Sequence, residues 1–311
     1  MPGDVTVTRL HAPAKLNLGL RVVGRRADGY HLLDTVFHAI ELHDTLWLVD
    51  ADELSLELVG GAGGDRVPAG DDNLVLRAAR AFAAAAGLSP SGRFRLLKGV
   101  PAGGGLGGGS SDAAAALLLL QHRLGSPLGR RDLEEVAATL GADVPFFLAG
   151  GTRRGRGVGE ILSETRPVPR LWFVLLVPPF GTSTAAVFKN LRAELTLAEG
   201  AATNSIDNPG SDNELWVIEE PCTRWQNDLE TSAEQLYPDL ARLAATIRAA
   251  GFSSLSMSGS GSTLFLSYAS PADAIAAQVR LQELAPPGVR VLLTRSAHGM
   301  VASRTPSTVE S

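Results

Sequence analysis

An α+β fold in two units is what the sequence predicts, and three observations carry it. The chain has 311 residues with 45% hydrophobic and 20% charged content, enough to bury a core in each of two domains. Up to Val59 it alternates apolar and polar positions rich in β-branched residues, and capped helices follow only later. From Leu171 onward, strand-like runs and amphipathic helices alternate a second time, in a pattern that suits helices on a small antiparallel sheet. The two units are expected to cover 1–165 and 166–311.

Taken in order, Val5–Leu10, Leu16–Val23, Leu32–Ile40, Thr45–Val49, Leu54–Val59 and Arg93–Lys98 read as strands, with a Gly-rich turn region over Gly60–Gly70. Asn73–Ala86 is the first helix. Leu74, Ala78, Phe82 and Ala85 mark its buried face, Asp72 or Asn73 caps it, and Gly87 closes it. A second helix over Ser110–Leu124 ends at Gly125, and a third over Arg131–Leu140 stops at Gly141. Gly150–Gly159 is read as a Gly/Arg-rich turn. In the second unit, Leu171–Val177, Ser253–Met257, Thr263–Ser267 and Val289–Thr294 are strands, flanked by helices near Ser232–Ala250 and Pro271–Leu284. Leu191–Gln226, acidic and carrying Trp216 and Trp225, reads as an extended loop or insertion with room for a short helix. The polar tail Arg304–Ser311 is expected to fray.

Composition excludes several classes of function. A net charge of −5 argues against a protein that works as a whole on the nucleic-acid backbone, and no Lys/Arg-rich aromatic face is present. One cysteine, Cys222, makes no internal disulfide, CxxC zinc site or iron–sulfur cluster. His11, His38, His43, His122 and His298 lack ligand spacing, and neither HExxH nor GxSxG occurs. The N-terminus has no apolar signal region, and runs such as Ala113–Leu120 and Leu171–Val177 are far short of the roughly 20 residues that span a bilayer. The expectation is a cytoplasmic protein, monomer or homodimer, that acts on a small molecule without nucleic-acid or membrane partners.

The strongest local feature is Pro101-Ala-Gly-Gly-Gly-Leu-Gly-Gly-Gly-Ser-Ser-Asp112, with six glycines in the seven positions Gly103–Gly109. Glycines at this density expose backbone N–H groups and allow close approach, and a helix follows at once, with Ser110 a plausible cap. A helix N-terminus beneath such a nest favours an anion, most often phosphate. GxxxxGK[ST] is missing. The GxGxxG match at Gly103, Gly105 and Gly108 has no acidic residue after a second strand, and the protein-kinase signatures are also lacking. Ser258-Gly-Ser-Gly-Ser-Thr263 is a second glycine turn, read either as a plain hairpin or as a second phosphate contact.

Phosphoryl transfer needs positioning, charge neutralisation and an acceptor hydroxyl that can lose its proton. Lys15, in Ala14-Lys-Leu-Asn-Leu18, is either a solvated face charge or part of a reaction centre. Asp143, followed by four non-polar residues, must be paired or hydrogen-bonded if buried, and a Lys15–Asp143 pair satisfies both. Tyr30, in the turn Asp28-Gly-Tyr-His31, is either a stacking platform for a flat ring or an ordinary surface tyrosine.

Together these motifs resemble the GHMP small-molecule kinases. Pro101–Asp112 looks like their second motif and Ser258–Phe265 like their third. Pro13–Leu18, Asp28–Leu33, Gly141–Phe146 and Asn227–Glu230 resemble the branch that phosphorylates a cytidine diphosphate derivative of methylerythritol on the non-mevalonate isoprenoid route. The resemblance runs from about residue 8 to 295. It implies an ATP-dependent kinase with an N-terminal ribosomal-protein-S5-domain-2-like unit and a ferredoxin-like C-terminal unit. It also implies that Asp143 is the general base, with Lys15 polarising the acceptor hydroxyl and Asn17 placing the substrate. Tyr30 and Phe188 would sandwich the cytosine and His31 would bond its edge. ATP phosphates would lie on Pro101, Ala102, Gly103, Gly104, Gly105, Leu106, Gly107, Gly108, Gly109, Ser110 and Ser111, with adenine near Asn73, Leu74 and Lys98. Mg²⁺ would accompany ATP, with no residue marked as its ligand. Two departures stand out. Leu191–Gln226 is longer and more acidic than the family pattern, and Gly151-Thr-Arg-Arg-Gly-Arg-Gly157 carries extra arginines that either answer substrate phosphate or form a solvated turn.

Overall fold

The computed structural model describes residues 8–61, 67–198 and 224–304. The start of the expected first strand, part of the 60–70 turn, Cys222, Trp216 with most of 191–226, and the tail beyond Arg304 lie outside the described residues.

The N-terminal sheet grows from one long hairpin, β1 (Thr8–Arg25) and β2 (His31–Val49). Sequence patterning divides each into two strands, whereas the structure carries one continuous ladder. The division falls where the register shifts: Pro13 pairs with His43 and Ala14 with Ile40, so Glu41 and Leu42 bulge out. Pro13 has no N–H to donate, and an irregularity beside it keeps the rest of the ladder intact. The freed Leu42 N–H donates instead to Thr294 Oγ1 at 3.1 Å.

β3 (Ser55–Gly61) runs parallel to β4 (Arg93–Lys98), and the crossover that parallel pairing demands is α1 (Leu74–Ala86). Asn73 is the cap, its Oδ1 accepting from Val75 N, and Gly87 ends the helix at φ +68°. The buried face comprises Val75, Leu76, Ala78, Ala79, Phe82 and Ala83, with Leu74 half-buried and Ala85 exposed rather than in the core. α2 (Gly108–Arg123), α3 (Arg130–Leu140) and the short α4 (Val144–Ala149) complete the helical layer. The expected Gly/Arg turn is instead a strand, β5 (Thr152–Arg156), hairpinned to β6 (Ile161–Glu164). β2 is long enough to pair with β5 through Thr35–His38 and with β4 through Thr45–Val49.

The second sheet is fully antiparallel, in the order β10 (Arg290–Arg295), β7 (Trp172–Val177), β9 (Leu264–Tyr268), β8 (Ser256–Met257). Its helices are α5 (Thr184–Ala198), α6 (Glu230–Leu236), α7 (Pro238–Ala249) and α8 (Pro271–Leu284). The single helix expected over 232–250 is broken at Tyr237, because the residue before a proline is driven out of the α region. β11 (Val301–Arg304) returns to the first sheet and pairs antiparallel with the start of β1, giving the order β11-β1-β2-β4-β3.

Each sheet buries an apolar cluster beneath its helices. A third cluster joins the sheets: Ala14, Leu16, Leu18, Val36 and Ile40 of the hairpin pack against Phe173, Leu175, Phe265 and Trp225. This seam sets the inner half of β1 beside the glycine-rich turns of both units. No helix among the described residues is long and apolar enough to cross a membrane.

Candidate active site

Period-two geometry places Lys15 and Asn17 on the same face of β1. Both are buried, and Lys15 Nζ donates to Asn17 Oδ1 at 2.6 Å. Asn17 Nδ2 donates to Thr35 Oγ1 at 2.8 Å, and Thr35 donates on to the Gly19 carbonyl at 2.7 Å. Thr35 thereby fixes which end of the Asn17 amide faces the lysine. Across from them Asp143, just ahead of α4, brings Oδ2 to 3.6 Å from Lys15 Nζ. Asp143 is partly open while Lys15 is enclosed, and the separation leaves the carboxylate able to take a further hydrogen-bond donor.

The glycine loop closes the other side. Lys15 N–H donates to the Leu106 carbonyl at 2.9 Å, tying β1 directly to the loop. Gly107 has φ +72°, and a Cβ there would meet the Phe147 ring at 2.8 Å and Lys15 Cγ at 3.1 Å, so only glycine lets the loop come this close. Gly107, not Ser110, is the cap of α2, and no side chain bonds the helix's first N–H groups. These donors and the positive end of the helix dipole face a cavity of about 540 Å³. Its walls include Lys15, Asn17, Asp143, Asn73, Leu74, Lys98, Phe188 and every residue from Pro101 to Ser110. That volume suits a nucleotide-sized ligand.

The second glycine turn is a hairpin between β8 and β9 and also a brace for the first. Thr263 N–H donates to the Gly104 carbonyl (3.2 Å), Ser258 Oγ to the Gly105 carbonyl (3.1 Å) and Thr182 N–H to the Gly103 carbonyl (3.3 Å). Three consecutive carbonyls of the loop are thus turned away from the cavity and satisfied by the second unit.

Lys98 does not offer a free charge to the cavity. Its ammonium is buried between Asp112 Oδ2 (2.6 Å) and Asp44 Oδ2. Asp44 Oδ1 also accepts the N–H groups of Gly99 (2.7 Å) and Val100 (2.8 Å), the residues that lead into the loop. Burial alone would lower the lysine's pKa, but the two carboxylates outweigh it and raise it. Burial pushes the Asp112 carboxyl well above the usual range, with Asp44 adding to the shift and Lys98 opposing it. Asn73 is likewise engaged, capping α1 and donating to the Pro68 carbonyl at 2.6 Å.

Of the expected base-binding residues, His31 is buried and Phe188 stacks on it, with ring centroids 5.0 Å apart and planes at 24°. Tyr30 stands 64% exposed at the tip of the β1–β2 turn, outside the cavity wall. Ser111 is fully buried behind the wall. The extra arginines do not face the cavity. Arg154 is held inside the fold by a two-pronged pair with Asp34 (2.7 and 3.0 Å), so it is not a solvated turn residue. Sequence reasoning missed Asp44, Asp112 and Thr35. The two aspartates do carry a signal, each being a carboxylate beside a strongly apolar run, Leu46–Val49 and Ala113–Leu120.

Residues 73–151 match the GHMP kinases N terminal domain and residues 218–286 the GHMP kinases C terminal domain. A protein of Salinispora tropica named 4-diphosphocytidyl-2-C-methyl-D-erythritol kinase is 40% identical over 302 residues, covering 94% of this chain and 92% of its own. The chain belongs to the 4-diphosphocytidyl-2-C-methyl-D-erythritol kinase family. A relative of that name from Geobacter metallireducens is 38% identical, covering 85% of this chain and 90% of its own. A crystal structure of 4-(cytidine 5'-diphospho)-2C-methyl-D-erythritol kinase superposes with a TM-score of 0.71 at 34% identity, over 94% of this chain and all of that one. Homoserine kinase from Cytophaga hutchinsonii, at 16% identity and TM-score 0.64, shares the fold alone. Membership of this kinase family agrees with the α+β architecture and with a cavity walled by the glycine loop.

Proposed function

We propose that the protein transfers the γ-phosphoryl group of ATP to the 2-hydroxyl of 4-diphosphocytidyl-2-C-methyl-D-erythritol, in isoprenoid precursor biosynthesis. The observation that carries the reading is the meeting of Lys15, Asn17 and Asp143 in one cavity, opposite the open N-terminus of α2. Asp143 is the base that accepts the hydroxyl proton. Lys15, steered by Asn17, holds the hydroxyl oxygen and offsets the negative charge that builds on it. The N–H groups of the glycine loop and of α2's first turn cradle the phosphates, with adenine toward Asn73 and Leu74. Lys98, in the cavity wall, spends its charge on Asp44 and Asp112 and so orders the loop's entry rather than binding the nucleotide directly. His31 and Phe188 form a ready aromatic edge for the cytosine, and Tyr30, free in the turn, closes over its other face.

Magnesium fits as a companion of the nucleotide. Ser111 Oγ and Asp112 Oδ1 are buried oxygens without hydrogen-bond partners, in the first turns of α2. Among the described residues no group of three or more His, Cys, Asp or Glu could hold a metal by itself. When bound, the ion would neutralise phosphate charge; Asp112, which lines the cavity, is the residue that would face it, with Ser111 just behind.

The test is ADP release with Mg·ATP, comparing the cytidyl acceptor with homoserine, mevalonate and no acceptor. Turnover confined to the cytidyl acceptor is expected. Turnover with homoserine or mevalonate in its place, or ATP binding without turnover on any acceptor, would overturn the reading.

A further inference from the structure

One motif beside the cavity has no part in the chemistry above, Asn227-Asp-Leu-Glu230. Its backbone is sewn to β1 just beyond Asn17: Leu20 N–H donates to the Gln226 carbonyl (2.8 Å), Asp228 N–H to the Leu20 carbonyl (3.0 Å) and Val22 N–H to Asp228 Oδ2 (2.9 Å). The Asn227 side chain points the other way, into the second glycine turn. It is buried, and both amide protons are spent on that turn, donated to the Met257 and Gly259 carbonyls at 2.8 Å each. Its Oδ1 accepts Leu229 N–H at 2.9 Å, at the start of α6.

Gly259 is the point where this clamp reaches the reaction centre. It adopts φ +56°, and a Cβ built there lies 3.4 Å from Lys15 Nζ, from Asn17 Oδ1 and from the Gly105 carbonyl. The Gly259 backbone therefore roofs the Lys15–Asn17 pair while the Phe37 ring lies on another side, 5.4 Å from Nζ. With those directions blocked, the ammonium is left facing Asp143 and the cavity. A roof of this kind is useful only if it does not move, and a glycine turn does not hold its own shape.

We infer that Asn227 is a positioning residue for phosphoryl transfer, locking Gly259 over Lys15 and Asn17 so that the lysine stays aimed at the acceptor hydroxyl. The inference rests on the function proposed above, and its test separates the two. Asn227→Asp is nearly isosteric and keeps an oxygen for the Leu229 N–H, so α6 remains capped. It removes both donors to the turn and sets a carboxylate against two carbonyls. The expected result is a kcat lower by about 10²-fold, the scale of a 1 Å misplacement, with KM for ATP changed far less. Amide exchange over 258–263, which requires no turnover, should speed up in the same variant. Wild-type kcat in Asn227→Asp would overturn the inference while leaving the proposed reaction standing, since a residue that only caps α6 would be unaffected. If the wild type turns over none of the acceptors, the exchange measurement decides alone, and unchanged protection over 258–263 sinks the clamp. Should Asn227→Asp fail to fold, Gly259→Ala probes the same roof from the other side, and full kcat in that variant would also overturn it.

Discussion

A carboxylate that takes a proton from an alcohol must be open to the substrate and within reach of a cation that offsets the developing charge, and Asp143 meets both conditions. It is partly exposed and stands 3.6 Å from an enclosed lysine. Asp143→Asn keeps the shape and removes the base, so turnover should fall by ~10²–10⁴-fold while the ATP dissociation constant stays near that of the wild type. Single-turnover kinetics with a separate nucleotide-binding measurement check this, and near-normal turnover would refute the base. Lys15 and Asp143 were legible in the sequence because each is a charge among apolar neighbours. The Asp44–Lys98–Asp112 group was not: Asp44 lies 54 residues from Lys98 and acquires its partner only when β2 and β4 pair. Sequence spacing carries no trace of an ion pair built across a sheet.

At the scale of elements, the site depends on two glycine turns pressed together more closely than side chains would allow. A Cβ at Gly105 would lie 2.2 Å from the Ser258 carbonyl, a backbone atom that cannot swing aside, and φ is +75°. Gly105→Ala should force the turns apart and strain the left-handed residue by roughly 1–2 kcal/mol. A displacement of even 1 Å in the phosphate cradle should lower kcat/KM for ATP by about 10²-fold. Steady-state kinetics and thermal denaturation on the same preparation separate the two effects, and a kinetically normal variant would show that the close contact is dispensable. Helices α1, α2 and α3 were readable from periodicity and glycine stops, and α8 was placed without such a stop. The α6/α7 break was passed over because the apolar spacing runs on across Tyr237-Pro238, and β5 was hidden because Gly155 and its arginines lack strand patterning. Gly155 is there for fit: a Cβ would meet the Phe37 ring at 2.5 Å.

The whole molecule is held in one piece partly by a neutral histidine. His38, on β2, bonds Thr152 Oγ1 of β5 through Nδ1 and Ser296 Oγ beyond β10 through Nε2, both at 2.8 Å. Ser296 N–H donates in turn to the Leu171 carbonyl, at the threshold of β7. Burial lowers the His38 pKa from 6.5 to about 4. Because the folded value is depressed, the stabilisation is complete above pH 6.5 and is lost as pH falls towards 4, an effect of about 3 kcal/mol at most. Wild-type Tm should therefore drop over that interval more steeply than the Tm of His38→Gln, and parallel curves would exclude His38 as the source. The two-unit plan was evident in the sequence, but the seam between the units was not, since its residues are ordinary apolar ones and their pairing is a property of the tertiary fold. Nor was the return of β11 to β1. That return has a consequence for how the protein is made. As the chain leaves the ribosome, the first sheet emerges early but keeps the Thr8–His11 edge of β1 open until the last described strand has been synthesised. An unpaired edge is a template for misassociation, so that short stretch of β1 stays open to the hazard until β11 has been made.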